Sequence, residues 1–389
     1  MGSDRKGRDS KRRDRKRDAH DGESTKPFLQ SPVILERKDR PAVTTSERPS
    51  NRAASESTPI LLESRSKTAS LRTASSSESN AVNKNPVPFY RRFGRVNSEA
   101  CLKILSEHPG HFVVGIIGRQ GAGKSTLLSC LMGEESKETR PTIGIDLSIS
   151  PERIILLDTE PLLSTSMIED ALRSGSFDGM PPDLWCEVQA LYDTIFLLSA
   201  CNVLIVVTEG TEADLEVLDL LKRAEMLHLN VSEHPASVTT ASNMDQDVDM
   251  LPYIVFVHNK CEPWEFDAKN YANLQQRIAA FFAKSKLKTS DLVGRASILP
   301  WHSATNPLER QNVFLLPRRD AKDEVLAFEF DTFINELYKD IVTASRKPGK
   351  LGQISERDWF RNASKYLDSV QKADHIASYI RILRKIAES

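Results

Sequence analysis

The sequence predicts an α/β fold: a mostly parallel sheet with one antiparallel hairpin inside it and helices on both faces. Three observations predict it. The continuous apolar runs "HFVVGII" (111–117), "NVLIVVT" (202–208) and "LPYIVFVHNK" (251–260) read as strands buried on both faces. Helical stretches alternate with these runs, the order expected of a layered α/β domain. "IGIDLSI" and "ERIILLD" flank Ser150-Pro151, which reads as a hairpin.

The elements follow in order. Residues 1–90 form a disordered tail: rich in Ser, Arg, Lys, Glu and Thr and nearly free of aromatics, they bury too little apolar surface to offset ordering entropy. Two islands interrupt this tail, "SPVILERK" from Ser31 and "TPILLESR" from Thr58, and they have the look of docking peptides or of chance matches. "PFYRRFGR" (88–95) reads as a lead-in that docks on the folded part, with RNA stacking as the other reading. A domain spanning 98–350 comes next. It opens with a short helix capped by Ser98 and ending at Leu105, then the 111–117 strand and a helix, "KSTLLSCLMG", stopped by Gly133. After the hairpin come helices over 183–201, 214–227, 267–284 and 324–345, strands at 202 and 253, and a strand candidate at "ASILPW". A polar, acidic insert at 229–250 reads as a mobile loop. Residues 351–389 carry two amphipathic helices whose apolar faces (Trp359, Phe360, Ala363, Tyr366, Leu367 and Val370; then Ile376, Tyr379, Ile380 and Leu383) pack on the domain or on a partner.

Between the first strand and its helix lies "GRQGAGKST", Gly118–Thr126. Gly118, four residues, Gly123, Lys124 and Ser125 make a P-loop: glycines let backbone N–H groups wrap phosphates and the helix offers its positive end. Its phosphate-binding residues are Gly118, Arg119, Gln120, Gly121, Ala122, Gly123, Lys124, Ser125 and Thr126. Lys124 is placed to neutralise the β- and γ-phosphates and Ser125 to ligate Mg²⁺. Asp158, ending the "IILLD" strand, is placed to reach the same Mg²⁺ through water, and Thr142 to sense the γ-phosphate and touch the metal. The element order then matches a GTPase-type G domain. "HNK" sets Asn259 and Lys260 after a strand, where such domains read guanine, but the expected Asp is Glu262. A guanine nucleotide (GDP or GTP) is therefore the expected ligand, with ATP left open. "SAT" (303–305) is a candidate for the last base-side loop.

The hydrolytic parts depart from the pattern. After Asp158 the chain runs Thr159, Glu160, Pro161, Leu162, where hydrolysing domains place a glycine and then a water-positioning glutamine. Proline has no N–H for the γ-phosphate, leucine cannot orient water, and Gln120 takes a place where small GTPases favour glycine. The phosphate grip is intact while three departures fall on catalysis, so the expectation is a non-enzyme that holds more than it turns over. Glu160 is a candidate for an unusual base, though nothing in the sequence demands it.

Composition narrows the class. Lys and Arg number 53 against 54 Asp and Glu, so no global field points to DNA or to a membrane. The five cysteines are scattered without a CxxC and the histidines lack metal spacing, which fits a reducing compartment without a zinc site. With no apolar run of spanning length and a charged N-terminus, the expected location is cytoplasmic, with shuttling to the nucleus left open.

The stretch "TIGIDLSISPERIILLDTEPLLSTSMIEDAL", the P-loop before it, "LIVVTEG" and the ending "ISERDWFRNASKYLDSVQKA" resemble the SMG-nine family, the G-domain subunit of the SMG kinase complex in nonsense-mediated mRNA decay. The resemblance runs from about Phe112 to near the end of the chain. The 144–168 stretch and the Trp359-Phe360 segment are its specific parts. It implies a nucleotide-binding regulatory subunit that pairs as a heterodimer with an SMG-eight-like G-domain protein. It also implies binding to the SMG phosphatidylinositol-3-kinase-related kinase, tuning that kinase's action on the pathway's RNA helicase. Two other readings stand beside it: an active, dynamin-like GTPase, and a small P-loop kinase with "LLPRRDAK" as its lid.

Overall fold

The computed structural model describes residues 85–92, 95–133, 141–175, 177, 179–229, 251–294, 310–319, 329–344 and 354–388. All of them lie in the unit spanning Ser75–Ser389. The two aliphatic tail peptides, the 230–250 part of the insert, "ASILPW" and "SAT" lie outside them.

A seven-stranded sheet carries the architecture, in the order β1-β3-β4-β2-β5-β6-β7. The strands are β1 Val87–Tyr90, β2 Val113–Gly118, β3 Ile145–Ile149, β4 Ile155–Thr159, β5 Val203–Glu209, β6 Tyr253–Cys261 and β7 Val313–Pro317. β4, β2, β5, β6 and β7 pair in parallel, whereas β1–β3 and β3–β4 are antiparallel. All six residues of β2 and all five of β3 are buried, as interior strands covered on both sides require. The helices are α1 Ser98–Ile104, α2 Lys124–Leu131, α3 Thr165–Ser174, α4 Pro182–Ala200, α5 Leu215–His228, α6 Ala268–Phe281, α7 Phe330–Val342, α8 Glu356–Lys372 and α9 Asp374–Ala387. α2 packs against α7, while α3, α5, α8 and α9 gather around α4, so both faces of the sheet are covered.

Several elements differ from the sequence expectation. β1 falls inside the segment assigned to the tail, because Phe89 is fully buried and stacks on Phe196 of α4 at 5.4 Å. Asn97, not Ser98, caps α1, accepting the Ala100 N–H at 3.3 Å. α3 was not foreseen; only Met167 and Ala171 of its residues are buried, a face too narrow to give a clear helical period. β7 was also not foreseen. Its five residues are an apolar run too short to separate from a loop by pattern, and their place is set by parallel pairing with β6.

The C-terminal helices are fixed to this body. Trp359 and Phe360 are buried, and the Trp359 indole N–H donates to Ala200 O at 2.9 Å at the end of α4. Phe89 meets Phe360 edge-on at 5.5 Å, so the first strand and α8 share one aromatic cluster. Glu356 accepts the Ser106 N–H at 2.7 Å and pairs with Arg153 in the hairpin turn. All five cysteines are free thiols. No helix among the described residues is long and apolar enough to cross a membrane.

Candidate nucleotide site

The site is built at the carboxyl ends of β2, β5 and β6, where ligands bind in open parallel sheets. β2 hands over to the P-loop at Gly118. A Cβ there would sit 2.3 Å from Val207 O of β5, so only glycine lets the strand pass so closely. Gly123 precedes α2 with φ 93°, in the left-handed region, and a Cβ on it would meet Asn259 Nδ2 at 2.4 Å. That same nitrogen donates to Ala122 O at 2.9 Å. Asn259 thus braces the P-loop from β6, one strand over from β5.

Lys124 is buried under the loop, donating from Nζ to Gly118 O at 3.0 Å and Arg119 O at 3.1 Å. Burial pulls its pKa from 10.5 to about 8, against the opposing pull of Asp158 and Glu160. On the first turn of α2, Ser125 Oγ donates to Asp158 Oδ2 at 2.6 Å, and Thr142 Oγ1 donates to the same oxygen at 2.9 Å. Asp158 Oδ1 is buried without a hydrogen-bond partner. Burial raises the pKa of this carboxyl, and the Ser125 and Thr142 hydroxyls work against the rise. An orphaned carboxylate oxygen beside two hydroxyls is an all-oxygen set that fits Mg²⁺ brought in by phosphates. It is no self-sufficient metal cage: among the described residues no group of three or more His, Cys, Asp or Glu could hold a metal.

The other P-loop residues are placed as follows. Arg119 turns outward, its Nε 2.5 Å from Asp214 Oδ2 and its Nη2 paired with Glu216, so its backbone rather than its guanidinium faces the loop. Gln120 accepts the Ser164 hydroxyl at 3.0 Å. Gly121 is exposed with φ 80°, and Thr126 is exposed on α2.

Across the loop, every group in the hydrolytic position is engaged by protein. Leu162 is buried and its N–H donates to Gly118 O at 3.0 Å, so the segment after Pro161 runs beside the P-loop as a single parallel bridge. Glu160, the candidate base, has both oxygens taken: Oε2 accepts the Gly144 N–H at 3.0 Å and Oε1 pairs with Arg92 Nη2 at 2.5 Å. Arg92 and Ser164 were not singled out by sequence. Their partners are far along the chain and no spacing connects them.

On the base side, Lys260 adopts φ 57° and reaches Glu209 Oε2 at 3.2 Å. Glu262 Oε1 accepts from Arg318 Nη1 at 3.0 Å, and its side chain also caps the short 3₁₀ turn Pro263–Phe266. Arg318 directly follows β7, which pairs in parallel with β6. The candidate at Ser303–Thr305 precedes β7 in the chain and lies outside the described residues. "LLPRRDAK" likewise is in its first three residues the end of β7.

No family model matches the chain. Among proteins, the nonsense-mediated mRNA decay factor SMG9 of Salmo salar is 26% identical over 329 residues, 73% of this chain and 65% of that protein. The factor of the same name from Caenorhabditis elegans is 32% identical over 200 residues, 44% of this chain and 50% of that protein. A GTPase Der from Xanthomonas campestris is 26% identical over 125 residues, 30% of this chain and 24% of its own. Among solved structures, the bacterial selenocysteine-specific elongation factor EF-Sec matches with a TM-score of 0.31 and 12% identity, over 60% of this chain and 28% of its own. The match to the salmon and frog relatives spans just under two thirds of their length. Relatives of that one name in fish, frog, worm and fly match 44–73% of this chain, so the family it is similar to is that of the SMG9 decay factors.

Proposed function

We propose that this chain is a nucleotide-holding regulatory and scaffold subunit in nonsense-mediated mRNA decay, with little or no NTP hydrolysis. The observation that carries the reading is the asymmetry of the site. Lys124, Ser125, Thr142 and Asp158 converge with one carboxylate oxygen still free for a ligand's metal. Glu160, Leu162 and Gln120 are instead engaged by Arg92, Gly118 and Ser164. A domain that binds phosphate firmly and has no free group to orient water serves as a ligand-stabilised platform. The relatives' name, a nonsense-mediated mRNA decay factor, supports the pathway. The partners proposed are an SMG-eight-like G-domain protein, as a heterodimer, and a phosphatidylinositol-3-kinase-related kinase, with the pathway's RNA helicase reached through that kinase.

Mg²⁺ held by Ser125, Asp158 and Thr142 would neutralise phosphate charge. Guanine is the base proposed, on Asn259 and Lys260. Glu262, which stands where the guanine-reading Asp is expected, pairs with Arg318, and ATP is the alternative. The test is to denature the purified protein, identify the released nucleotide by chromatography, and follow phosphate release from the native protein. Stoichiometric nucleotide without turnover is expected; an empty site would sink the holder reading. The likeness to a GTPase favours a second reading, a switch with a partner-supplied water-positioning group. Sustained, Lys124-dependent phosphate release would select it.

A further inference from the structure

In P-loop switches, two segments flanking the phosphates are held by the last phosphate and its metal and released when it leaves. Here the corresponding segments are Thr142–Asp146, which carries the sensing threonine, and Asp158–Asp170. Each has a protein partner that needs no ligand, and both partners come from one place. β1 lies along β3 with Val87 opposite Leu147 and Tyr90 opposite Ile145. It closes so tightly on Gly144 (φ 72°) that a Cβ there would be 2.4 Å from Tyr90 O and 3.1 Å from Arg91 Cα.

Two arginines at the end of β1 then grip the segments separately. Arg91 Nη1 donates to Ile143 O at 2.5 Å and to Asp146 Oδ1 at 2.6 Å. The Arg92 side chain, only 7% exposed, reaches the other segment: Nη2 lies 2.5 Å from Glu160 Oε1 and 3.2 Å from Asp170 Oδ2, and Nη1 donates to Met167 O at 3.5 Å. Glu160 cross-links the two, because its carboxylate accepts the Gly144 N–H while its own N–H donates to Gly144 O at 2.7 Å. The strand that carries both arginines is anchored by Phe89 against Phe196 and Phe360. Breaking the buried Arg92–Glu160 pair strands the remaining partner in low dielectric, which opposes opening of either segment.

We infer that residues 87–92 form an intramolecular clamp that holds both phosphate-facing segments in one conformation whether or not the nucleotide carries a third phosphate. This rests on the nucleotide-holding reading. It makes the N-terminal lead-in, rather than the γ-phosphate, the element that sets the state of these segments.

The test is hydrogen exchange on the full chain, nucleotide-free and with GDP or GTPγS, with affinities measured in parallel by calorimetry. In the wild type, exchange in 141–146 and 158–170 should be the same with either nucleotide. Arg92→Met should speed it about tenfold or more and make GTPγS protect better than GDP. GTPγS-specific protection in the wild type would overturn the clamp, as would unchanged exchange in Arg92→Met. If Arg92→Met does not fold, Glu160→Gln, nearly isosteric, carries the same comparison. If neither nucleotide binds, the holding reading fails on its own. The clamp is then judged in nucleotide-free protein, where equal exchange in wild type and variant would overturn it.

Discussion

The P-loop side of the site and the segment facing it are built from the same kinds of residue yet differ in where their hydrogen bonds go. On the P-loop side, two hydroxyls share one oxygen of Asp158 and leave the other unmet, and Lys124 donates only to loop carbonyls. On the facing side, Glu160, Leu162 and Ser164 are met by Arg92, Gly118 and Gln120. Unmet polar capacity in a buried site marks where a ligand belongs, because leaving it unmet costs free energy. Saturated capacity marks scaffold. The comparison teaches that the two sides differ in what they leave open: one keeps an acceptor free, while the polar groups of the other are met by distant parts of the protein.

The largest expected effect breaks the comparison from outside the site. Trp359→Ala removes a buried indole and its bond to Ala200 O, and should cost about 3–5 kcal/mol of stability. Because Phe89 packs in the same cluster, hydrogen exchange should rise in 87–92 and 141–146 before it rises in the P-loop. A loss of less than about 1 kcal/mol in denaturant unfolding would contradict the anchoring role.

Lys124→Ala breaks the P-loop side alone. Nucleotide binding should be lost, and with it the stabilisation a ligand confers on the native state, about 2.7 kcal/mol at a hundredfold excess over Kd. Melting curves with and without added nucleotide measure this directly. An unchanged melting temperature with nucleotide gone would separate binding from stability.

Asp158→Asn sharpens the comparison further. It keeps the shape of the side chain but weakens the acceptor that Ser125 and Thr142 share. Affinity for nucleotide with Mg²⁺ should fall roughly 10–100-fold while affinity in EDTA changes little. Equal losses in both conditions would remove the metal from the account.

How much of this was legible in the sequence follows from chain distance. The P-loop, the β2 and β5 strands and the hairpin are local patterns of apolar runs and turn residues, and they stand where the pattern puts them. Ser125, Thr142 and Asp158 were each legible from a local context, the P-loop, the lead-in to the hairpin and the end of a strand, and the hydrogen bonds bring them together. The Arg92–Glu160 and Glu262–Arg318 pairs were not, since nothing along the chain tells which of many charges will meet once β1 and β7 take their edges. α3 and β7 were missed for a different reason: α3 buries only two side chains and β7 is five residues long, so neither carries enough periodicity to separate from a loop.

The smallest predicted effect is a pH dependence of nucleotide binding. In the ligand-free site, burial holds the Lys124 pKa down at about 8. A bound phosphate favours the charged ammonium and raises that value, so binding takes up a proton wherever the free lysine is partly neutral. The sign follows: affinity is full below pH 7 and falls as pH rises through 8. Between pH 7 and 8.5 the charged fraction drops about fourfold, and Kd should rise by about the same factor. The nucleotide's terminal phosphate does not mask this, because it has given up its second proton near pH 6. Calorimetry at pH 8 in buffers of different ionisation enthalpy checks the uptake. A heat independent of buffer would mean that Lys124 is already fully charged in the empty site, and that Asp158 and Glu160 outweigh burial there.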